Sequence, residues 1–249
     1  MRLALKTKPR LGGRTPTLPN HQQTWAPETL SSYITKAFVL AQYGQWDGYP
    51  DGQGFTTLVF LQTPLNIERL KAGLAHIYIA TEEELGSIHA KLDKTERTDR
   101  QAAEEAGNVM AASYFPRGDA LARIYPSLSR DTGAKILEVV AQATAEKRVP
   151  VELDEEFVHD ILSCELAYVV DIDAELLEVY CSVEPEYDGT SERFEGVHGA
   201  EKGMVPSLIR TLTFNDLATL SKSEFIRLMN QSLRDRRQRR EARKKLHKE

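Results

Sequence analysis

The residues best suited to binding chemistry are concentrated in the segment 42–54, which reads QYGQWDGYPDGQG. Its last two glycines, Gly52 and Gly54, would let backbone N–H groups approach an anion where a helix begins, as in many phosphate sites. Trp46 and Tyr49 could stack on a flat group. The segment therefore predicts a site for a small anionic ligand.

The same segment could instead be a tight connection between a strand and a helix. Asp47 could accept a hydrogen bond from a ligand, but Asp47 followed by Gly48 is also a strong turn signal. No phosphate-loop lysine follows Gly54, and Gly-Gln-Gly does not complete a dinucleotide-binding motif. Both interpretations stay open at the level of sequence.

A second candidate for anion binding is Arg130, in the run Ser-Arg-Asp-Thr. Its planar guanidinium could hold a carboxylate or a phosphate through two parallel hydrogen bonds. In the alternative, Ser129 or Asp131 caps a helix and Arg130 pairs with a nearby acid.

Three carboxylates, Glu165, Asp171 and Asp173, have the same parity along a predicted strand, so they would share one face. Such a set could act as acid and base or bind a hard metal ion. In the alternative they form a solvated face, where charged residues usually lie. The six histidines show no metal-ligand spacing, and we predict neither a metal site nor a cofactor.

The two cysteines, Cys164 and Cys181, are too few for a disulfide framework or a zinc site. We expect both to be buried and reduced, which fits a cytoplasmic location. No apolar run approaches the roughly 20 residues that a membrane-spanning helix needs, so no membrane association is predicted.

Charge is distributed unevenly along the 249 residues, whose formal net charge is -5. Residues 1–30 contain five Lys or Arg and one acid, and residues 232–249 contain nine Lys or Arg and three acids. The remainder is acidic, which disfavours nucleic acid as a partner of the folded body. We therefore predict a flexible basic leader at 1–30, a single globular domain at 31–231 and a basic helical tail at 232–249.

Apolar periodicity and turn signals predict the elements of the globular domain. Strands are expected within 31–43, 166–172, 176–180 and 207–214. Helices are expected from Pro50 or Gly54 to 63, over 65–74, from a capping box at Thr81–Glu84 to Leu92, over 99–112, over 131–143, after Pro150 with Asp154 as cap, and from a capping box at Ser221–Glu224 onward, with loops at 93–100 and 116–119.

This order of elements predicts an α+β fold. It would consist of a small antiparallel or mixed sheet, including a hairpin at 166–181, packed with several helices.

Three blocks of the sequence resemble an uncharacterised protein family found in fungi, actinobacteria and phages. They are QYGQWDGYPDGQG at 42–54, YPSLSRDTGAK at 125–135, and the segment 165–180 with its YVVDID and LEVY runs. The resemblance spans roughly residues 31–217, with the blocks in the same order. It implies no activity, because none is established for that family.

Three functional hypotheses follow. The first is a binding or interaction domain organised around the glycine-rich turn 44–54, with a small anionic ligand or a protein as partner. The second is an enzyme, such as a hydrolase, that acts on a small anionic ligand at Gly52–Gly54. The third is a nucleic-acid-associated protein that binds through the basic segment 234–248 alone.

These hypotheses make different structural demands. A ligand site or an active site requires a pocket where Trp46, Asp47 or Tyr49 meets Arg130 or a carboxylate. An interaction domain requires an exposed apolar surface beside the turn.

Overall fold

A computed structural model describes residues 2–6, 40–43, 48–108, 117–153, 164–181, 194 and 206–246. Within these ranges the chain combines α-helices with a five-stranded mixed sheet and a separate pair of short strands. The predicted α+β fold class is confirmed.

The strands are β1 (Arg2–Lys6), β2 (Leu40–Tyr43), β3 (Ile77–Ile79), β4 (Val149–Val151), β5 (Leu166–Asp171), β6 (Leu176–Cys181) and β7 (Ser207–Thr213). The α-helices are α1 (Phe55–Leu61), α2 (Pro64–Gly73), α3 (Glu82–Glu105), α4 (Arg117–Ile124), α5 (Ile136–Ala141), α6 (Phe214–Thr219) and α7 (Lys222–Leu246). A single π-helical turn, Pro50–Gly54, precedes α1, and short 3₁₀ turns occupy Leu74–His76, Pro126–Leu128 and Gly133–Lys135.

The larger sheet has the strand order β2-β1-β5-β6-β7. Strand β1 runs parallel to β5, and the other neighbours are antiparallel. The predicted hairpin is confirmed, because β5 and β6 pair from Leu166 opposite Cys181 to Asp171 opposite Leu176. The predicted strand at 207–214 is also present, as the outer strand β7.

Strand β1 corrects the expectation of a flexible leader for residues 2–6. Those residues lie between β2 and β5, with both edges of the strand paired. The partners are about 40 and 165 residues away in sequence, so no local pattern reveals the pairing. The rest of 1–30 lies outside the described residues.

The core forms around β5, whose six residues are all buried. Its unbroken apolar run is typical of a central strand covered on both faces. Helices α1, α5 and α7 contribute buried side chains to the same cluster, among them Leu58, Leu137 and Phe225. At the end of α1, Gln62 Nε2 donates to the carbonyl oxygens of Leu217 (3.0 Å) and Leu220 (2.7 Å), which joins α1 to α6.

Both predicted capping boxes are confirmed. Thr81 Oγ1 accepts from Glu84 N at 3.2 Å and Glu84 Oε2 accepts from Thr81 N at 2.9 Å, at the start of α3. At the start of α7, Ser221 and Glu224 form the same reciprocal pair, at 3.3 and 2.9 Å. The helices predicted before Pro64 and over 65–74 are also present, as α1 and α2.

The loop predicted at 93–100 is wrong, because α3 continues unbroken from Glu82 to Glu105. The segment is charged but rich in residues that favour helices, and a solvated helix needs only a narrow apolar stripe. Leu92 packs with Ala120 of α4, and Arg123 of α4 forms a 2.8 Å ion pair with Asp99. The helix predicted over 99–112 is therefore the end of α3 as far as Glu105, not a separate element.

Three further boundaries differ from the predictions. Residues 117–119 of the predicted loop 116–119 belong to α4. The helix predicted from Asp131 begins as a 3₁₀ turn at Gly133 and becomes α-helical at Ile136, because Gly133 has a left-handed φ of 51°. Pro150 lies inside β4, and the helix predicted after it, with Asp154 as cap, falls on residues outside the described part of the chain.

The close crossing of α2 and α5 gives a test of the packing. A Cβ added at Gly73 would overlap the carbonyl group of Val140, whereas one added at Gly86 in α3 would meet nothing within 4 Å. We expect Gly73→Ala to lower the free energy of unfolding by about 1–3 kcal/mol through overpacking. Gly86→Ala should raise it by about 0.5–1 kcal/mol, because alanine favours helices.

Urea denaturation of the two variants and the wild type measures both effects. Equal stabilisation by Gly73→Ala and Gly86→Ala would contradict the close approach of the two helices.

Candidate functional site

The glycine-rich turn leads directly into α1. The peptide bond between Tyr49 and Pro50 is trans, and Pro50 occupies the first position of the π-helical turn. The amides of Gly52 and Gly54 both donate to the carbonyl oxygen of Tyr49, at 3.1 and 3.3 Å. An anion-binding site at this turn would need these same N–H groups. In this conformation both already bond to the carbonyl oxygen of Tyr49 and are not available to an anion.

Tyr168 of β5 contacts the turn at both ends, at Gly48 and at Gly54, just before α1 begins. Its side chain is fully buried, and its hydroxyl donates to the carbonyl oxygen of Gly48 at 3.1 Å. A Cβ at Gly54 would lie 2.7 Å from that hydroxyl and 3.0 Å from the ring. The close approach of this aromatic ring therefore favours glycine at position 54. Burial, with a smaller contribution from the negative charge of Asp51, strongly raises the pKa of the Tyr168 phenol.

Gln53 joins the turn to the segment before α5. Its Oε1 atom accepts from the backbone N–H of Ala134 at 2.7 Å. The neighbouring Gly133 has a left-handed φ of 51°, and a Cβ there would lie 2.5 Å from Gln53 Oε1. The Gln53 side chain thus occupies the space that a glycine leaves open, and it satisfies a buried amide.

These contacts bring together the three sequence blocks that carry the family resemblance. Segment 42–54 contributes the turn, 125–135 contributes Gly133 and Ala134, and 165–180 contributes Tyr168. The convergence gives each block a structural role in one place. The family membership itself stays a prediction.

Among the described residues of the turn, Tyr49 has an exposed aromatic side chain, with 56 % of its surface accessible. A hydrogen bond from its phenol to the carboxylate of Glu165, which immediately precedes β5, raises the pKa of Tyr49. Val59 and Leu65 are exposed as well, at 47 % and 51 %. Tyr49 is thus an exposed aromatic side chain in the turn itself, while Val59 and Leu65 are exposed apolar positions on α1 and α2.

Among the described residues, Arg130 forms no hydrogen bond or ion pair with the turn. Arg130 is exposed, and Ser129 Oγ accepts from Asp131 N at 3.2 Å. The predicted helix cap is wrong, because the following 3₁₀ turn has Thr132 at its N-cap and no side-chain cap hydrogen bond. Trp46 and Asp47 lie outside the described residues. Of the predicted ligand-binding residues, Tyr49, Gly52 and Gly54 therefore belong to one hydrogen-bonded turn. Arg130 forms no hydrogen bond with these three residues.

The three carboxylates do not form one acidic site. Asp171 is buried at the end of β5, and its Oδ1 accepts from Ala174 N at 2.9 Å, which shapes the hairpin turn. Asp173 is in that turn and not on the strand, so the predicted common face is wrong. Glu165 is exposed and bonds to Tyr49. In the part of the chain that the structure describes, no three His, Cys, Asp or Glu side chains could jointly hold a metal ion.

One surface that sequence reasoning missed is an open groove of about 670 Å³ between β7, α6 and α7. Its lining includes Arg210 of β7 and Arg239 of α7. The sequence shows Arg210 only as one member of an alternating strand. The groove depends on the register of β6 against β7, and that register is set by contacts between residues far apart in sequence. No local sequence pattern therefore indicates the groove.

Comparison of the chain with protein-family models, with curated proteins and with solved structures finds no match. Among the described helices, none combines the length and apolar character needed to cross a bilayer.

The bond between Gln53 and Ala134 can be tested by removing one partner. Gln53→Ala leaves the buried Ala134 amide without that acceptor, and we expect a loss of about 1–3 kcal/mol in unfolding free energy. Gln101→Ala is the matched control, since Gln101 bonds to Glu105 on the exposed face of α3. That change should stay within about 0.5 kcal/mol of wild type. Equal effects in a denaturant titration would show that the turn is not held in this way.

The buried phenol of Tyr168 predicts how stability depends on pH. The folded state raises its pKa above the ordinary 10.0, so above about pH 10 the unfolded chain releases a proton that the folded chain retains. Stability is full below pH 10 and falls as pH rises, by up to about 1.4 kcal/mol per pH unit. Tyr168→Phe should lose about 1 kcal/mol at pH 7 with its hydrogen bond, and should show a shallower alkaline decline. Identical slopes from pH 9 to 11 would contradict the burial of the phenol.

Proposed function

We propose that this chain is a non-catalytic binding protein, organised around the turn 48–54, which binds the phosphate backbone of nucleic acid through the basic half of helix α7. The observation that supports the proposal is a continuous helix with two different halves. The first half is anchored in the core, and the second half is basic and exposed.

The first half of α7 is fixed by apolar packing. Phe225 and Met229 are fully buried, and Ser232 is 5 % exposed. The helix contacts the π-helical turn, α1 and β7. Lys222 Nζ also lies 4.2 Å from the ring centroid of Phe55, the first residue of α1. The turn is therefore part of the surface against which α7 packs.

The second half carries a concentrated positive charge. Residues 234–246 contain eight Lys or Arg and two acids, and most of their described side chains are exposed. Thirteen helical residues extend about 20 Å, so the segment could contact several phosphates along one groove of a duplex. The predicted tail boundary at 232 falls inside this helix, because α7 is unbroken from Lys222 to Leu246.

The composition of this half favours a phosphate backbone over a lipid surface or unpaired bases. Its apolar residues are only Ala242 and Leu246, which is too few for an interfacial membrane helix. It also has no aromatic side chain on which bases could stack. Binding should therefore depend on salt and be largely independent of nucleotide sequence.

The enzyme hypothesis receives less support from the same geometry. The amides of Gly52 and Gly54 are bonded to Tyr49, and the carboxylate of Asp171 is committed to a hairpin turn. A protein partner that contacts the turn is the second candidate, favoured by the exposure of Tyr49.

Fluorescence anisotropy with a labelled 20-base-pair DNA duplex, between 50 and 200 mM salt, tests the proposal. The triple variant Arg234→Gln/Arg237→Gln/Lys245→Gln removes three cations from α7. If each contacts a phosphate, the slope of log K against log salt should fall by about 2.7, with clearly weaker binding at every salt concentration.

The matched control removes three exposed cations from α3, through Lys91→Gln/Lys94→Gln/Arg97→Gln. That variant, and Val59→Ser/Leu65→Ser, should bind DNA like the wild type. Absence of salt-dependent binding, or equal weakening by the two triple variants, would refute a nucleic-acid interface on α7.

A further inference from the structure

The groove beside β7 has the size and the walls of a binding site. Its volume of about 670 Å³ lies within the range of ligand-binding clefts. Its lining is mixed: Ile209 of β7, Leu228 of α7 and Leu220, which directly follows α6, are apolar, whereas about half of the lining residues are polar or charged. A bound molecule could therefore bury apolar surface there.

The groove follows the edge of strand β7. Five consecutive residues, 208–212, contribute to its lining. Successive side chains of a strand point to opposite faces, so a groove on one face would be lined by alternate residues only. Strand β7 is also the last strand of the sheet, and no other described strand pairs with its outer edge. Backbone groups along that edge are therefore open to a further strand.

A β-bulge aims Arg210 towards this groove. Leu208 pairs with Tyr180 and Arg210 pairs with Val179, which leaves Ile209 as an extra residue. Val179 belongs to the core face, and Ile209 packs against the same core. The bulge thus places two adjacent residues, Ile209 and Arg210, on the side that faces α7.

Helix α7 supplies a second cation. Arg236 Nη2 donates to Ser207 Oγ at 3.4 Å, which fixes the helix beside the start of β7, and Arg239 follows about one turn later. The side chains of Arg210 and Arg239 make no hydrogen bond or ion pair with another described residue. The acid that lines the groove, Asp216, instead accepts from the backbone N–H (2.9 Å) and the hydroxyl (2.7 Å) of Thr213.

We propose that this groove binds an extended acidic peptide, which adds to the outer edge of β7 as a further strand. Backbone hydrogen bonds to β7 would supply affinity, and apolar side chains of the peptide would contact Ile209, Leu220 and Leu228. Arg210 and Arg239 would pair with carboxylates on the peptide, for which a guanidinium is the preferred partner. Nucleic acid fits less well, because it cannot extend a β-sheet.

Isothermal titration with the peptide acetyl-Glu-Val-Glu-Val-Glu-Val-amide tests the proposal on the full chain. We expect binding that weakens at least about tenfold in Arg210→Ala and in Arg239→Ala, since each loses a charged pair. Arg237→Ala is the matched control, because Arg237 is an exposed arginine of the same helix that does not line the groove. It should bind the peptide like the wild type.

A second peptide separates strand addition from simple charge attraction. Methylation of alternate backbone nitrogens removes donors to the β7 edge but keeps every carboxylate, and it should abolish binding. Arg239 is exposed, so Arg239→Ala gives a valid result even if the half-buried Arg210 proves necessary for folding.

The proposal is overturned if the peptide does not bind at 1 mM or if Arg239→Ala binds it normally. It is likewise overturned if the methylated peptide binds as well as the parent. Sedimentation that shows a dimer which the peptide dissociates would also overturn it, because a second copy of the chain would then occupy this edge. Arg210→Ala should leave DNA binding intact, so the failure of this proposal and the failure of the nucleic-acid proposal are distinguishable.

Discussion

Tyr168 lies where the central strand β5 meets the glycine-rich turn, and its buried ring sets the position of that turn. The ring leaves no space for a side chain at Gly54, and its hydroxyl binds the carbonyl oxygen of Gly48. Gln53 completes the attachment through the amide of Ala134. Helix α1 begins at this fixed point, and α7 packs against both the turn and α1. The contact between Tyr168 and Gly54 therefore positions two of the elements against which α7 packs.

Elements with local signals could be predicted from the sequence. The capping boxes at Thr81 and Ser221 specify helix starts through hydrogen bonds within four residues. The hairpin at 166–181 is specified by two apolar runs and a short connection. The continuity of the charged helix α3 through residues 93–98 was missed, because contacts with α4 stabilise a segment that has few apolar residues of its own.

Features that depend on distant partners could not be read from the sequence. The pairing of β1 needs β5, and the bulge that places Arg210 beside α7 needs the register of β6. At the candidate site the sequence singled out Gly52 and Gly54, and Gly54 proves special through its close approach to Tyr168 and not through its backbone, which is α-helical. It could not show that the carbonyl oxygen of Tyr49 occupies their amides, or that Tyr168 is the reason for Gly54.

Hydrogen exchange at single-residue resolution tests most directly whether the turn is held in one shape. The amides of Gly54 and Ala134 are bonded to Tyr49 and Gln53 and lie at buried positions. They should exchange as slowly as the amides of β5, through opening with a free energy close to that of global unfolding. Exchange of either amide on the timescale of the exposed residues around Gly107, with β5 still protected, would contradict the account.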